Sequence, residues 1–535
     1  MIVALDIETI FRKKYSIVDL GLDRFLMHPD FRITLVSIVA EDGFEWVGPP
    51  EQLPVNRLNG QTLISHNAEF DSNGCRAGIT KGQLPEFMPA DWLCTADMAS
   101  YHQLPRSLAG AYKELFQEEL SKDDRLAMMG LTAEEVQAEP RYSEYALNDS
   151  RACLRVYQEL ISGFPEKERI LSTLTRQIAN RGLPIDGPLC QQFIDESENQ
   201  MDKVDRQSTT WRQLNIINNF AYGLIFRIRR DRRVSTRLKY HGANHTGRWS
   251  GTGGLNFQGI MQSEIEGIEP RKCLKAPEGR VLVSADLSQI EPRVIAYLIG
   301  DQKFLGLVRG GIDIYEAHGR ATKLYEEDEP MAELAPEMRK LCKARLLGLG
   351  YGCGPGKFID VAKGFGVSMT EAEAKQQVYL YRAQNPDLIL TWKRMEDQFR
   401  EWMKETPECI TFETRDGYPV RYFNAFEKNG ELFASTTRSY EPVKIYGARL
   451  FQNLVQATAR SIFADALIRI EAAGLPVCLH VHDSICLEVA EDEGQAALNL
   501  LLKLLTDEPL NYPGLPLAAD CLLYTSDAAD DMASG

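Results

Sequence analysis

The stretch Ala285-Asp286-Leu287-Ser288-Gln289-Ile290-Glu291-Pro292-Arg293 follows the apolar run Val281-Leu282-Val283-Ser284 and opens a helical pattern that reaches Leu298. A strand turning into a helix here puts Asp286 at the strand's carboxyl end and Glu291 in the first helical turn. Pro292 is tolerated in that turn, because its N–H groups have no intrahelical acceptor. A strand-end aspartate is a natural cation ligand, although read alone it is as readily a helix N-cap. Val481-His482-Asp483-Ser484 lies between the apolar runs Val477 to Val481 and Ile485 to Val489, so Asp483 falls at a hairpin bend. Alone, such a bend is ordinary turn chemistry. Together, Asp286 and Asp483 are the two carboxylates that nucleotidyl transfer requires: one ion lowers the pKa of a 3′-hydroxyl and the other neutralises the departing triphosphate.

Between these stretches, Arg339, Lys343, Leu347 and Tyr351 recur every four residues from Pro336 to Gly352. That spacing predicts one slowly drifting helix face, basic at its start and apolar-aromatic at its end. Such a face suits a ligand with a triphosphate at one end and a stacked base at the other. Any single helix of this kind is also readable as amphipathic with solvated cations.

The chain begins differently. Strands are predicted over Ile2 to Thr9, Ile33 to Ala40 and Thr62 to Ser65, with a helix from about Tyr142 to Ile161, which together make an α/β domain. Asp6 and Glu8 lie two apart on the first strand, so both carboxylates leave one face. Asn67, Phe70 and Asp71 follow in His66-Asn67-Ala68-Glu69-Phe70-Asp71, and Tyr145 and Asp149 stand four apart on the helix. Four acids and a tyrosine in this order suit phosphodiester hydrolysis with two metal ions about 4 Å apart: Asp6, Glu8, Asp71 and Asp149 as hard oxygen ligands, Tyr145 orienting water. Beyond Phe164-Pro165, Glu166 to Asn219 reads as helical, in the manner of an extended arm. A helix-rich region to about Trp402 and a helix from Gly447 to Ala473 complete the pattern.

The 535 residues allow several structural units, with 44% hydrophobic and 25% charged residues as in ordinary globular proteins. Sixty Lys+Arg against 76 Asp+Glu give a net charge of −16, which excludes a uniformly basic coat and requires any polyanion to bind a patch. The basic stretch Arg227 to Arg248, containing Arg229, Arg230, Arg232, Arg233, Arg237 and Lys239, is the expected patch. Eleven cysteines without a CxxC pair suggest reduced thiols rather than a zinc or disulfide framework. No apolar run is long enough for a membrane span, and no secretory leader is visible.

In order and spacing these motifs resemble the family A DNA polymerases, bacteriophage-type branch. DxE, NxxFD and YxxxD resemble an N-terminal DEDDy proofreading exonuclease. The Asp286 string looks like motif A, Arg339 to Gly352 like motif B, and His482-Asp483 like motif C. Thr246-Gly247-Arg248 with Ser250, and Asn256-Phe257-Gln258, look like the primer-template segment. The helix carrying Asn453, Gln456 and Arg460 is similar to the one that touches the template minor groove. The resemblance implies an α/β, ribonuclease H-like exonuclease domain at about 1–165, then a right-hand α+β polymerase domain over 166–535. Within it come a thumb at about 166–240, a palm at about 241–300 and 440–521, and fingers at about 301–439.

The function implied is primer extension with deoxynucleoside triphosphates plus 3′–5′ proofreading, in phage DNA replication within a bacterial host's cytoplasm. Two Mg2+ would serve each active site, with Mn2+ as a substitute, and Asp286 and Asp483 would hold those of the polymerase. Arg339, Lys343, Leu347, Tyr351, Glu291 and Gln289 would bind the nucleotide, Glu291 as a steric gate against ribose. Arg248, Gln456, His482 and Arg460 would contact DNA. Primer-template DNA, the nucleotides and unidentified replisome or processivity proteins would be partners, with no membrane.

Leu347 departs from the family's aromatic residue, Tyr315 from a usual His, and Ser484 from a common Glu. The tail 522–535 lacks the expected ending and receives no function. A chain that kept only the fold, as a DNA-binding scaffold, would not need Asp286 and Asp483. A nuclease alone would not need the Arg339 helix, and RNA synthesis is opposed by Glu291.

Overall fold

The computed structural model describes residues 1–121, 123–243, 245–252, 255, 257, 264–438 and 441–524. Asn256 and Gln258 of the primer-template segment and the tail from Thr525 lie outside the described residues, as do the side chains of 522–524. The chain forms two compact units. One holds Met1–Val283 and Pro476–Gly494, the other Ser284–Leu475 and Gln495–Leu522.

In the first unit, a five-stranded sheet runs in the order Glu45–Gly48, Ile33–Ala40, Ile2–Thr9, Thr62–Ser65, Asp91–Cys94. The first three strands pair antiparallel and the last three parallel. Ile33–Ala40 is buried along its whole length, whereas Ile2–Thr9 buries Val3, Ala4, Leu5 and Ile7 and leaves Asp6 and Glu8 partly open. The sheet's central strand, Ile2–Thr9, thus buries most of its apolar residues and leaves its two acids partly open. Helix Pro140–Leu160 docks on Ile33–Ala40 through Ser37, whose Oγ reaches Ala146 O at 2.9 Å and Ser150 Oγ at 2.7 Å. Helix Ala68–Thr80 lies so close to the first strand that a Cβ on Gly74 would collide with Ile7 Cδ1.

Glu166 to Asn219 is helical, as Glu166–Arg181, Gly187–Met201 and the first part of Thr209–Arg227, but it does not begin as an arm. The first helix is built into the unit. Buried Glu168 accepts from Tyr240 Oη at 2.6 Å, Ser172 Oγ donates to Asp97 at 2.6 Å, and Thr175 accepts from Trp249 Nε1 at 2.8 Å. Its polar composition reads as solvated in the sequence; in the fold those groups satisfy one another, as buried polar groups must. The next two helices share an apolar core with Leu282, Cys478 and Leu479.

The second unit carries the helices Ile290–Ile299, Ile314–Ala321, Pro336–Ala344, Glu371–Gln384 and Pro386–Glu405, and the 26-residue Gly447–Ala472. Gly447 is required there, since a Cβ would run into the backbone of Trp392, and its N–H donates to Glu396 Oε2 at 3.0 Å. An antiparallel sheet of Cys409–Glu413, Pro419–Lys428, Glu431–Ser435 and Val443–Ile445 also belongs to this unit. The sequence patterns did not single it out. Among the described residues no helix is long and apolar enough to cross a membrane, and the cysteines are free thiols.

Candidate active sites

Asp6, Glu8, Asp71, Tyr145 and Asp149 line one cavity of about 530 Å³ in the first unit, along with His66, Asn67 and Phe70. Three local rules bring them there: strand alternation places Asp6 and Glu8, the first turn of Ala68–Thr80 places Asp71, and the four-residue helical repeat places Tyr145 and Asp149. Asp71 is buried and accepts the Ile7 N–H at 3.3 Å, which ties the helix to the acidic strand. Asn67, just before that helix, adopts a left-handed φ of 95°, and its carbonyl accepts the Phe70 N–H at 2.8 Å. Tyr145 hydrogen-bonds Asp149 on its own helix.

The electrostatics of this cavity are those of crowded like charges. Burial, then Asp149, pushes Asp6 up to about 7, while Arg125 opposes the rise. Glu8 and Asp71 are also raised, by burial first and by Asp6 next, and burial followed by Asp149 raises the Tyr145 phenol. Hard oxygen donors that repel one another suit a hard divalent cation. Among the described residues no three His, Cys, Asp or Glu side chains already surround one point at ligating spacing, so the fit is of donor chemistry, and an ion would draw the acids inward. Arg125 lines the cavity and tempers its acids, yet it stands in a stretch without a motif, and sequence reading missed it.

In the second unit, Asp286 is exposed near the end of strand Arg280–Leu287. Gln289, half-buried with a left-handed φ of 45°, caps the helix Ile290–Ile299. The turn between them is pinned: Ser288 N–H donates to Ala518 O at 2.8 Å, Ser288 Oγ to Asp520 at 2.6 Å, and Arg293 Nε to Ser288 O at 2.9 Å. Glu291 in the first turn accepts from the Tyr351 hydroxyl.

Arg339 donates to Asp313 at 2.9 and 3.2 Å and lies 5.0 Å from the Tyr315 ring centroid; Lys343 lies 5.6 Å from the same ring and 5.1 Å from that of Phe365. Leu347 and Tyr351 lie beyond the end of that α-helix, Leu347 within a turn of another type. The α-helix stops at Ala344 and Arg345–Leu349 forms a wider π turn, so the four-residue repeat spans two helix types. Arg345 lies at this change, wholly buried, with Gln377 at 2.6 Å, Gln384 at 2.5 Å and His318 at 3.3 Å. Gln456 is half-buried on Gly447–Ala472, and Arg460, one turn on, is buried over the Tyr418 ring at 5.2 Å.

His482 and Asp483 form the two-residue bend between Val477–Val481 and Ser484–Ala490 in the first unit, with His482 at a left-handed φ of 54° that this kind of hairpin turn demands. Arg248 opens the strand Arg248–Gly251, opposite Ala243 across a turn whose Gly247 has φ 70°. The basic run around it is not one polyanion patch. Arg229 pairs with Asp231, Arg233 with Glu488, and Arg237 with Asp23 and Glu69. These arginines cross-link the unit, because a guanidinium that is buried needs a carboxylate partner. Exposed side chains remain at Arg230, Arg232 and Lys239.

The class to which this fold belongs is that of the DNA polymerases. The sequence profile of DNA polymerase family A matches residues 190–522, and the chain belongs to that family. It is similar to the DNA polymerase of Bacillus phage SP02, 24% identical over 651 aligned residues that cover 97% of this chain and 98% of that protein. It is also similar to the thermostable DNA polymerase I of Thermus filiformis, 30% identical over 290 residues, 53% of this chain but 31% of that protein. The POL domain of Pol1 from M. smegmatis, solved in complex with DNA primer-template and dNTP, has the same fold, with a TM-score of 0.69 at 19% identity over 97% of this chain and 94% of that one.

Proposed function

We propose that this chain extends a primer 3′ end on a DNA template with deoxynucleoside triphosphates, and that its N-terminal region removes misincorporated nucleotides by 3′–5′ hydrolysis. Family membership carries the first activity. The observation that carries the second is the cavity in which Asp6, Glu8, Asp71, Asp149 and Tyr145 meet, with the carboxyl groups of Asp6, Glu8 and Asp71 raised above the ordinary range. Under this reading residues 1–165 are the exonuclease region, and thumb, palm and fingers follow with the boundaries expected above.

For hydrolysis, Asp6, Glu8, Asp71 and Asp149 would hold the divalent ions, which when bound supply charge neutralisation and a more acidic water. Tyr145, oriented by Asp149, directs the attacking water from its hydroxyl. Asn67 and Phe70 form the wall against which the terminal nucleotide rests. For synthesis, Asp286 and Asp483 are the carboxylates assigned to the Mg2+ pair. Lys343 and Arg339 neutralise the triphosphate; Arg339 reaches it by leaving Asp313 for the stronger anion.

Tyr351 packs under the templating pair, and its bond to Glu291 holds that carboxylate where a 2′-hydroxyl would collide, so discrimination is by exclusion. Gln289 shapes the turn beside Asp286, and Leu347 provides apolar contact. Arg248, Gln456, Arg460 and His482 are assigned to the primer and the minor groove. The test is a labelled primer-template: extension that requires Mg2+ and the templated nucleotide, together with shortening of the primer when nucleotides are withheld. Absence of extension by the folded protein would overturn the synthetic reading, and absence of shortening the hydrolytic one.

A further inference from the structure

Next to the carboxylate cavity lies a second one of about 380 Å³, and the two share Ile17, Val18, Asn67 and Phe70 as walls. The second cavity is also lined by Arg227 and Thr252. Arg227 closes the helix Thr209–Arg227, whose outer side leaves Tyr222 and Phe226 53% and 37% exposed, four residues apart and thus on one face. Two cations gather on one of these rings: the guanidinium carbons of Arg24 and Arg227 lie 4.0 and 5.5 Å from the Phe226 centroid. Val18, 95% exposed, lines both cavities as an apolar side chain with no core to fill.

Fastening the short helix Leu22–Met27 does not account for this cluster, because the ion pair of Asp23 with Arg237 already does that. Two arginines on one ring repel each other; burial and then Arg24 depress the Arg227 pKa, and Asp23 offsets part of that. Arg230 likewise lies near enough to Lys81 to lower its pKa further after burial. An anion between such groups relieves the repulsion, and exposed rings interleaved with cations are the usual means of holding single-stranded nucleic acid.

We infer that Phe226, Tyr222, Arg24 and Arg227 form a holding site for the single-stranded 3′ segment of DNA. Bases stack on the rings, a phosphate lies between the two arginines, and the strand passes Val18 and Phe70 into the carboxylate cavity. This rests on the hydrolytic reading for its direction and adds to it the residues that present the strand.

The test uses the full chain in EDTA with a fluorescein-labelled oligothymidylate of about 12 nucleotides, within the usual site size for single strands. Phe226→Ala is expected to weaken binding by at least about fivefold, the lower end for loss of one stacked base. Phe226→Leu would do the same without emptying the site. Arg24→Ala with Arg227→Ala should reduce the slope of log affinity against log salt by about 0.7 for each phosphate that is no longer neutralised. 5-Iodouracil placed among the last few 3′ nucleotides should photocrosslink to the peptide holding Tyr222 and Phe226. Unchanged affinity and salt slope in folded variants, or crosslinks elsewhere, would overturn the proposal. So would an equal loss of affinity for blunt duplex, which would make this face a duplex-binding surface. A wild-type protein that binds and crosslinks as expected yet degrades nothing after Mg2+ is added would refute the hydrolytic reading while supporting the holding site.

Discussion

The two acidic regions differ in how far the protein alone has prepared them. Around Asp6, Glu8, Asp71 and Asp149 the carboxylates are enclosed together and destabilise one another, with Asp6 pushed up to about 7. Asp286 is exposed, and the cations of the helix Pro336–Ala344 in the same unit are engaged by the protein itself, Arg339 by Asp313 and Lys343 by aromatic rings. The first region stores its readiness for cations as electrostatic strain. The second satisfies its groups with internal partners, which on the proposed reading are stand-ins that a nucleotide displaces.

The largest effect is expected from Asp286→Ala or Asp483→Ala. On the proposed assignment each variant loses a metal ligand that acts mainly in the transition state, which should lower single-nucleotide incorporation by about three orders of magnitude, with primer-template affinity nearly unchanged. Rapid-quench extension and filter binding measure the two, and comparable extension by either variant would remove these residues from the reaction. Lys343→Ala comes next. One charge-assisted hydrogen bond of about 1.5–3 kcal/mol corresponds to a fall of roughly 10–100-fold in kcat/KM for the nucleotide. An unchanged value would leave the helix as ordinary amphipathic structure.

The stand-in idea has its own test in Asp313→Asn, which keeps an acceptor at the start of helix Ile314–Ala321 but removes the competing charge. Since a partly exposed ion pair is worth about 0–1 kcal/mol, nucleotide KM should fall by up to about fivefold. A rise in KM would mean that Asp313 positions Arg339 for the nucleotide rather than occupying it.

The smallest effect concerns the strained region without divalent ions. An acid whose folded pKa is raised destabilises the fold once it ionises, so stability should decline as pH rises from the ordinary Asp range, about 4, through about 7. Asp6→Asn should flatten that decline and raise the first melting transition at pH 8 by about 2–4 °C, by scanning calorimetry in EDTA. A variant that melts lower at pH 8 would show that Asp6 is stabilised, not strained, by its surroundings.

How much was legible in the sequence follows the same division. Asp6 with Glu8 and Tyr145 with Asp149 lie on regular elements, so strand and helix periods alone put each pair on one face, and the strand Ile2–Thr9 ends where its pattern ends. Arg125 escaped because its relation to the acids is tertiary. The four-residue repeat from Arg339 to Tyr351 hid a change of helix type within it. A period presupposes one helix type, and buried Arg345, drawn to Gln377 and Gln384, sits where the helix widens. The arginine run Arg229 to Arg237 read as a patch because most of its partners, Glu488, Asp23 and Glu69, are far away in sequence. Net charge counts charges but not their pairing.

The most direct measurement is made on one variant, Asp6→Ala with Glu8→Ala, assayed in Mg2+ for degradation of a labelled single strand and for extension of a primed template. Degradation should fall by about three orders of magnitude while extension stays within about twofold of wild type, since each site carries its own acids. Loss of both activities in a folded protein, or degradation that persists, would contradict the assignment of separate reactions to the two regions.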